Sequence, residues 1–300
     1  MCWCAPRARR AWPRRKVTGA ALSLMSIPAP LSALGPAVAD VEATVISNVA
    51  VNAEYLQLTL NAPEPAPSAL PGQFFHLECT SDRPSDLLLR RPMSIYKADP
   101  VSRTVEFLYK VTGVGTRAMA ALERGHRIRI LGPLGVGFKV QPNWRRIAVL
   151  GRGVGLATLA PLAELAAMKG IGVSAILSAR APALVMSVDR FTAAGAKISI
   201  VLDSDGTSSL DNVARILRSF VFDGVDAFFT CGSSRLMLLM QRLGKEFNIA
   251  GQVALEQQMA CGLGMCFCCV RSFKTGNSTE SRRVCIQGPV FNLEEVLPWS

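Results

Sequence analysis

Residues 147–165 read IAVLGRGVGLATLAPLAEL, and this stretch decides the predicted fold. An apolar run leads into three glycines, Gly151, Gly153 and Gly155, and a helical pattern follows them directly. A glycine-rich turn between a buried strand and a helix lets a dinucleotide approach the helix N-terminus. The complete G-x-G-x-x-G fingerprint is not met, and Arg152 is bulky for such a turn, so the motif alone is a weak predictor.

Apolar strand patterns and helical patterns also alternate in the residues around this turn. Strands are predicted at Arg146–Leu150, at Val173–Leu177 and in the run ISIVLD at 198–203, with a helix over Leu156–Lys169. Alternating strands and helices indicate a doubly wound parallel sheet, which we assign to residues 141–245. A later strand, FFTCG, ends in Cys231 and Gly232. Ligands of such sheets bind at the carboxyl edge of the strands, so these two residues are cofactor-binding candidates beside the three glycines.

Residues 41–140 have a different pattern. Apolar and polar residues alternate in ATVISNVAVNAEYLQLTL (43–60), PGQFFHLEC (71–79) and RTVEFLYKVTG (103–113), and turns rich in Pro, Gly, Asp and Ser separate them. This pattern predicts a small antiparallel β-barrel. The chain is therefore expected to be a multidomain protein that combines a β-barrel with an α/β domain.

Two motifs in the barrel indicate a phosphate-bearing cofactor. In LLLRRPMSIY (87–96), the planar guanidinium of Arg91 suits bidentate contact with a pyrophosphate, although the motif could also be an ordinary surface strand. In YKVTGVGTRAMAALERG (109–125), Gly115 and Thr116 precede a helix predicted over Arg117–Leu122. A glycine turn at a helix N-terminus can hold an anion, but Thr116 could equally serve only as an N-cap.

The run MACGLGMCFCCV (259–270) holds Cys261, Cys266 and Cys269 in a C-x4-C-x2-C spacing, and Cys285 follows after fifteen intervening residues. This is the plant-type spacing for a 2Fe–2S cluster. A Cys4 zinc site usually shows two paired short spacings, which favours iron over zinc without excluding zinc. Cys268 is left out because only Cys269 completes the x2 spacing. Residues 246–300 are assigned to a small cluster-binding domain.

The net charge and the cysteine content of the chain limit the functions that it can have. The net charge is +11, but six basic residues and no acid lie within residues 1–39, so the remaining residues carry +5 and nucleic-acid binding is not expected. Nine clustered cysteines indicate metal ligation in a reducing compartment, and we expect a cytoplasmic protein without a membrane span. Residues 1–40 are expected to be a disordered or mis-started extension, and an export signal is the alternative.

These motifs, in this order, resemble the electron-transfer subunit of the two-subunit, NAD-linked dihydroorotate dehydrogenase, a branch of the ferredoxin-reductase-like flavoproteins. The resemblance covers residues 41–297. It implies that FAD is bound at the strand that contains Arg91–Ser94 and at the strand that contains Leu108–Lys110. It also implies that NAD is bound at the turn of Gly151, Gly153 and Gly155, and that the four cysteines bind a 2Fe–2S cluster. The implied FAD residues are Arg91, Pro92, Met93, Ser94, Leu108, Tyr109, Lys110, Gly115 and Thr116, and the implied cluster ligands are Cys261, Cys266, Cys269 and Cys285.

The resemblance also implies a role. In that family the subunit passes electrons from the FMN of a partner dihydroorotate dehydrogenase through the cluster to FAD and NAD+, within a heterotetramer that serves pyrimidine biosynthesis. Two departures weaken the NAD assignment: Ser233 and Ser234 stand where proline usually follows Cys-Gly, and Arg152 interrupts the glycines. No acid–base catalysis is needed, and His76 and His126 are expected to be structural.

Two alternatives remain open from sequence. One is an FAD and 2Fe–2S reductase subunit that uses NAD(P)H and serves another dehydrogenase or an oxygenase, although such proteins usually carry a full ferredoxin domain with a longer gap before the fourth cysteine. The other is a zinc-stabilised binding module without redox activity.

Overall fold

The computed structural model describes residues 37–79 and 89–298. Most of the extension predicted over residues 1–40 lies outside the described residues. Its last residues do not: the first strand begins at Ala39, slightly earlier than the predicted start of the barrel. The elements that follow form two sheets and one separate hairpin.

The first sheet is antiparallel and has seven strands in the described residues, in the order β4-β3-β7-β1-β2-β6-β5. The strand β4 also contacts β6, so the sheet curls towards a barrel, as predicted. The helix α1 (Val114–Ala120) connects β6 to β7. The strands are β1 (Ala39–Ala50), β2 (Tyr55–Asn61), β3 (Phe74–Leu77), β4 (Arg91–Ser94), β5 (Lys97–Asp99), β6 (Thr104–Lys110) and β7 (Arg127–Leu134).

The alternation of β3 separates two packing surfaces. Phe75 and Leu77 point into the barrel core, where the Phe75 and Phe107 rings meet edge-on with their centroids 5.5 Å apart. Phe74 and His76 point the other way, and their ring centroids lie 5.8 Å apart. Because successive side chains of a strand face opposite sides, β3 contributes both to the barrel core and to the core that contains the cysteine segment.

The second sheet is the predicted doubly wound sheet. Its parallel strands are β8 (Arg146–Arg152), β9 (Gly172–Ala179), β10 (Lys197–Leu202), β11 (Ala227–Cys231) and β12 (Ala250–Ala254), in the order β10-β9-β8-β11-β12. The helices are α2 (Gly155–Met168), α3 (Val188–Ala193), α4 (Leu210–Phe222) and α5 (Ser234–Phe247). Ile147 and Val149 pack against α2 and α3, whereas Ala148 and Leu150 pack against α4 and α5. Both faces are therefore covered, which explains the unbroken apolar run in β8.

The segment after β12 leaves this sheet and returns to it. It contains the cysteines, a hairpin of β13 (Val270–Thr275) and β14 (Ser278–Arg283), and the short helix α6 (Val284–Gln287). The last strand, β15 (Val290–Asn292), then pairs antiparallel with β12. The region predicted to be a separate domain from residue 246 thus gives its first and last strands to the second sheet.

Contacts between the barrel and the second sheet are specific. Arg190 of α3 forms an ion pair with Glu164 of α2 and places its guanidinium 4.2 Å from the centre of the Tyr96 ring. Its Nη1 also donates to the Tyr96 carbonyl at 2.5 Å, and the Tyr96 hydroxyl lies 3.2 Å from Ser187 Oγ. A buried arginine held by a carboxylate, a carbonyl and an aromatic face fixes the two sheets relative to each other.

Candidate functional site

The four predicted cluster ligands come together at one end of the hairpin. The Cys266 N–H donates to Cys261 Sγ at 3.4 Å and the Cys285 N–H donates to Cys269 Sγ at 3.4 Å, so the four residues form two contacting pairs. The Cys285 thiol also interacts electrostatically with Cys261, so the two pairs are neighbours. The structure therefore assembles the quartet as two pairs: Cys261 with Cys266 in the turn before the hairpin, and Cys269 with Cys285 at the two ends of the hairpin.

The hairpin explains the fifteen-residue gap before the fourth cysteine. Cys269 immediately precedes β13, Cys285 follows Val284 after β14, and Val270 pairs with Arg283 at the open end. The Val284 N–H donates to the Cys269 carbonyl at 3.1 Å, and the Cys285 N–H donates to Cys269 Sγ at 3.4 Å. Pairing of the two strands brings the distant cysteines into contact.

The first pair lies in a tight turn. Gly262 and Gly264 have φ values of +69° and +80°, in the left-handed region that glycine tolerates. This curl directs the N–H groups of Leu263 and Cys266 at Cys261 Sγ, each at 3.4 Å. Burial raises the pKa of the Cys261 thiol, but the N–H groups of Cys266 and Leu263 outweigh burial and lower the pKa to about 7. The turn is thus built to stabilise a thiolate, the form that binds metal.

The second pair is more deeply placed. Cys269 and Cys285 are both buried in the same core as Phe273 and Phe291. Burial, together with the neighbouring Cys269, raises the pKa of Cys285 to about 12, so this thiol favours its protonated form until a cation displaces the proton. A bound metal would supply that charge.

The chemistry of the four side chains fits an iron–sulfur cluster. A 2Fe–2S cluster takes four cysteine thiolates, and four cysteines can also hold a structural zinc ion. Within residues 37–79 and 89–298, no group of three or more His, Cys, Asp or Glu side chains is arranged to hold a metal ion as the side chains stand. Cys268 is excluded from both pairs: it is exposed, and its thiol donates towards the Gln258 carbonyl at 3.8 Å.

The cysteine segment shares a cavity with the predicted flavin strand. This cavity has a volume of about 880 Å³, within the range of roughly 300–1,000 Å³ that is usual for small-molecule sites. One wall is Leu89 to Pro92, and the opposite wall is formed by residues 256–260 and by Cys268. The cavity therefore joins the RPMS strand to the segment that leads into the cluster turn.

Arg91 and Gly115 come together at the rim of the barrel. A Cβ atom built on Gly115 would lie 2.6 Å from Arg91 Nε and 2.8 Å from its Cζ, so the guanidinium occupies the space that a side chain would need. Arg91 Nη1 also donates to the Leu89 carbonyl. The structure thus brings together an arginine and a glycine that the sequence motifs placed separately.

Thr116 occupies a different position from the predicted one. The helix α1 begins at Val114 and not at Arg117, and its N-cap is Gly113. Thr116 Oγ1 accepts hydrogen bonds from the N–H groups of Thr112 at 2.8 Å and Gly113 at 3.0 Å. Its hydroxyl therefore closes the turn, as a third-position side chain that reaches back to the N-cap does. The sequence reading missed this because glycine gives no side-chain capping signal.

The remaining flavin candidates divide between two faces. Pro92 and Ser94 pair with His76 and Phe74 across β3 and β4 and share their face, whereas Met93 pairs with Phe75 on the barrel side. Three further candidates lie on β6: Leu108 packs with the second sheet, Lys110 forms an ion pair with Glu54 at 2.7 Å, and Tyr109 is buried in the barrel. The Tyr109 hydroxyl donates to Asn48 Oδ1 at 3.0 Å, so this side chain is kept away from the cavity.

The nucleotide candidates meet at the carboxyl edge of the second sheet. Gly151 on β8 pairs with Cys231 on β11. A Cβ built on Gly155 would lie 2.4 Å from the Cys231 carbonyl oxygen, and one on Gly232 would lie 2.2 Å from the Arg152 carbonyl oxygen. Gly153 has φ +54° and faces the Tyr55 hydroxyl. These glycines are therefore required for the close approach of two backbone turns, whatever ligand binds there.

The two departures at this edge have local explanations. Arg152 turns away from the glycines and forms hydrogen bonds with Ser178 Oγ at 2.9 Å and with both Asp203 carboxylate oxygens, at 3.0 and 2.5 Å. The Arg152 guanidinium, assisted by Ser208, lowers the pKa of Asp203 to about 2. Ser233 is the N-cap of α5, and its hydroxyl accepts from the Leu236 N–H at 3.4 Å. Neither departure blocks the edge.

Glu256 lines two cavities and was not among the residues singled out from the sequence. It lines the large cavity and also a smaller cavity of about 200 Å³ at the carboxyl edge of β11 and β12, which Cys231 and Gly232 line as well. Surrounding protein raises the pKa of its carboxyl by desolvation. Its signal in the sequence was slight: a lone acid two residues after the end of β12. Glu256 connects the flavin side to the nucleotide side.

Comparisons with known proteins agree with this arrangement. The family model described as the iron-sulfur cluster binding domain of dihydroorotate dehydrogenase B matches residues 256–297. The dihydroorotate dehydrogenase B (NAD(+)), electron transfer subunit of Shouchella clausii is 30% identical over 256 residues, which cover 85% of this chain and 96% of the relative. The subunit of the same name from Desulforamulus reducens is 29% identical over 253 residues, with coverage of 84% and 95%.

Solved structures share the fold. An NADH-dependent reduced ferredoxin-NADP oxidoreductase superposes with a TM-score of 0.71 at 24% identity, over 85% of this chain and 89% of that chain. A siderophore utilization protein from T. fusca superposes with a TM-score of 0.53 at 16% identity, over 74% and 95%. In the described residues, no helix has both the length and the apolar character to span a membrane.

Proposed function

The chain belongs to the family of dihydroorotate dehydrogenase B (NAD(+)) electron transfer subunits, and from this premise we propose that it moves electrons between a partner dihydroorotate dehydrogenase and NAD+ in pyrimidine biosynthesis. It is an oxidoreductase subunit with sites for FAD and a 2Fe–2S cluster. When bound, these groups convert two-electron transfer with a nicotinamide into single-electron transfer.

One observation carries the proposal: the four thiols are assembled as two pairs beside a cavity whose other wall is the RPMS strand. Cys261, Cys266, Cys269 and Cys285 are the proposed cluster ligands. Arg91 and Gly115 are the proposed contacts for the FAD phosphates, since the guanidinium lies over a glycine that leaves it room. The cavity size and its largely apolar wall suit a planar ring system.

NAD+ is proposed to bind at the carboxyl edge of the second sheet. Gly151, Gly153, Gly155, Cys231 and Gly232 line the approach of β8 and β11. Glu256 lines both this edge and the flavin cavity, so the two cavities adjoin and these residues would hold the two cofactors next to each other. The residues of the chain orient the two groups and exclude water, which is the protein's part in a hydride transfer.

The proposed partner is an FMN-containing catalytic subunit that oxidises dihydroorotate, within a heterotetramer. The cluster turn supports this, because Met265 and Phe267 are 73% and 62% exposed and Leu263 is also exposed. Large apolar side chains grouped at the rim of a redox site are typical of a protein contact surface. The reduced state of the thiols is best kept in the cytoplasm, which is the proposed location.

Metal and flavin analysis tests the proposal. Purified protein should contain flavin and two irons per chain, and Cys266→Ser should lose the iron and keep the flavin, because the flavin cavity does not include Cys266. Cys268→Ser is the matched control for the iron content, which it should keep. Zinc in place of iron would support the binding-module alternative and contradict the proposal.

Reconstitution with the partner tests the reaction. Mixed with the dihydroorotate dehydrogenase encoded in the same organism, the protein should make NADH formation dependent on dihydroorotate. If it instead copurifies with an oxygenase and fails to couple dihydroorotate to NAD+, the reductase alternative holds.

A further inference from the structure

His76 occupies an unusual position for a residue expected to be only structural. It lies on β3, is 1% exposed, and shares its face with Phe74. Phe74 packs in the same core as Cys269 and Cys285. The alternation of β3 therefore directs the imidazole out of the barrel and towards the cysteine segment.

The Nε2 atom of His76 is buried and has no hydrogen-bond partner within the described part of the chain. A Cβ atom built on Gly262 would lie 3.1 Å from this nitrogen and 3.2 Å from Cδ2 of the same ring. The Nε2 edge thus faces the turn that follows Cys261. An unpartnered buried polar atom is costly, so its partner is expected to be a group that the protein binds.

The chemistry of the ring suits a hydrogen-bond donor. Burial, with a smaller contribution from Arg90, lowers the pKa of His76 to about 4, so the imidazole is neutral at neutral pH and one of its nitrogens carries a proton. Sulfur atoms of a cluster accept hydrogen bonds, and such bonds are one means by which a protein sets the reduction potential. The backbone already donates to Cys261 Sγ from Leu263 and Cys266.

We propose that His76 is a positioning residue for the iron–sulfur cluster, whose Nε2–H donates a hydrogen bond to a sulfur at the Cys261 turn and thereby raises the reduction potential. This inference rests on the proposed cluster ligands and adds a residue from the barrel to that site. Reduction adds negative charge to the sulfurs, so a donor stabilises the reduced state more than the oxidised state.

The first test compares two variants of His76. His76→Phe keeps a planar ring and removes the nitrogen, whereas His76→Gln keeps an N–H donor that can reach the Nε2 position. We expect His76→Phe to make reduction of the cluster about tenfold less favourable, which for a one-electron couple is a fall of about 59 mV. His76→Gln should restore most of this loss. The measurement is a redox titration followed by electron paramagnetic resonance, with iron and flavin content determined on each sample.

The second test uses the unmodified protein and does not depend on the folding of a variant. The chain has only two histidines, so labelling with 15N-histidine marks His76 and His126 alone. His126 is exposed, and its Nδ1 accepts from the Glu123 N–H at 3.2 Å. Pulsed electron paramagnetic resonance of the reduced cluster should detect a coupled 15N nucleus in the wild type and in the control His126→Gln, but not in His76→Gln.

The outcomes separate this inference from the proposed function. Absence of iron in the wild type would refute the proposed cluster itself. Iron with a normal signal but without 15N coupling, or equal potentials in the wild type and His76→Phe, would overturn only the role of His76. Equal shifts in both variants would show that the ring matters for packing and not as a donor, which would also overturn the inference.

Discussion

Gly115→Ala should weaken FAD binding without unfolding the protein. The added methyl group would lie 2.6 Å from Arg91 Nε, 2.8 Å from Cζ and 2.9 Å from Nη2. These are atoms at the flexible end of a side chain, so the guanidinium can move and the backbone need not. Gly115 lies in α1 and has no positive φ, and alanine is the better helix former by up to about 1 kcal/mol.

The size of the effect follows from what Arg91 does in its present position. If its guanidinium contacts the FAD phosphates, displacing it removes a charged hydrogen bond worth about 1.5–3 kcal/mol. That range corresponds to a loss of about 10- to 150-fold in FAD affinity. Arg91→Ala should cost a similar amount, since it removes the same contact.

Fluorescence titration of flavin-stripped protein with FAD measures both variants. The double variant Arg91→Ala, Gly115→Ala should bind FAD no more weakly than Arg91→Ala alone, because the methyl group acts only through the arginine. Gly113→Ala is the matched control, since no atom lies within 4 Å of the Cβ it would add. Unchanged FAD affinity in Gly115→Ala, or additive losses in the double variant, would refute the reasoning.

Three other substitutions test the cavity, the sheet edge and the sheet contact. Desolvation raises the pKa of Glu256, so folding disfavours the ionised form of this carboxyl. Glu256→Gln should therefore raise the melting temperature of the cofactor-free protein at pH 8 and change it little at pH 4. An equal change at both pH values would contradict this. Gly155→Ala places a methyl group 2.4 Å from a backbone oxygen that cannot move aside, and urea unfolding should reveal a loss of about 3 kcal/mol, in contrast to Gly113→Ala. Arg190→Leu should lower the free energy of unfolding by about 2 kcal/mol, whereas Arg218→Leu, from an exposed ion pair, should change it by less than about 0.5 kcal/mol.

The elements that the sequence predicted well are those with long, regular patterns. Strands predicted at Arg146–Leu150 and Val173–Leu177 and the helix predicted at Leu156–Lys169 were confirmed to within a few residues at their ends. A strand buried on both faces needs an unbroken apolar run, which is visible without knowledge of its neighbours. By contrast, β15 has three residues, too few to show any period, and its place beside β12 is set by the return of the chain.

The residues of the candidate site also differ in how well the sequence predicts them. The proximity of the four cysteines was predictable, because metal ligands are constrained in type and in spacing, while their role as cluster ligands stays a prediction. Glu256 and His76 were not, because a single polar residue in or beside an apolar strand has no pattern; the two cavities that Glu256 lines, and the burial and neighbours of His76, distinguish them only in the structure. His76 stands in the otherwise apolar strand FFHL, where the sequence favours a structural histidine. What distinguishes it is a buried Nε2 at the cysteine turn that has no hydrogen-bond partner among the residues that the structure describes.

The short segment between β12 and β15, which contains the four cysteines, indicates which kind of electron carrier this protein is. Cys269 and Cys285 meet because β13 and β14 pair over six residues each and join through a two-residue turn, which accounts for nearly all of the fifteen-residue gap. After this hairpin the chain returns to the second sheet, where β15 pairs with β12. A cluster bound in this segment would be fixed to the sheet at both ends, beside the flavin cavity that residues 256–260 also line. A tethered ferredoxin domain, which can swing between partners, is joined at one end only. The short spacing therefore favours a fixed relay within a stable complex over a reductase that serves a mobile acceptor.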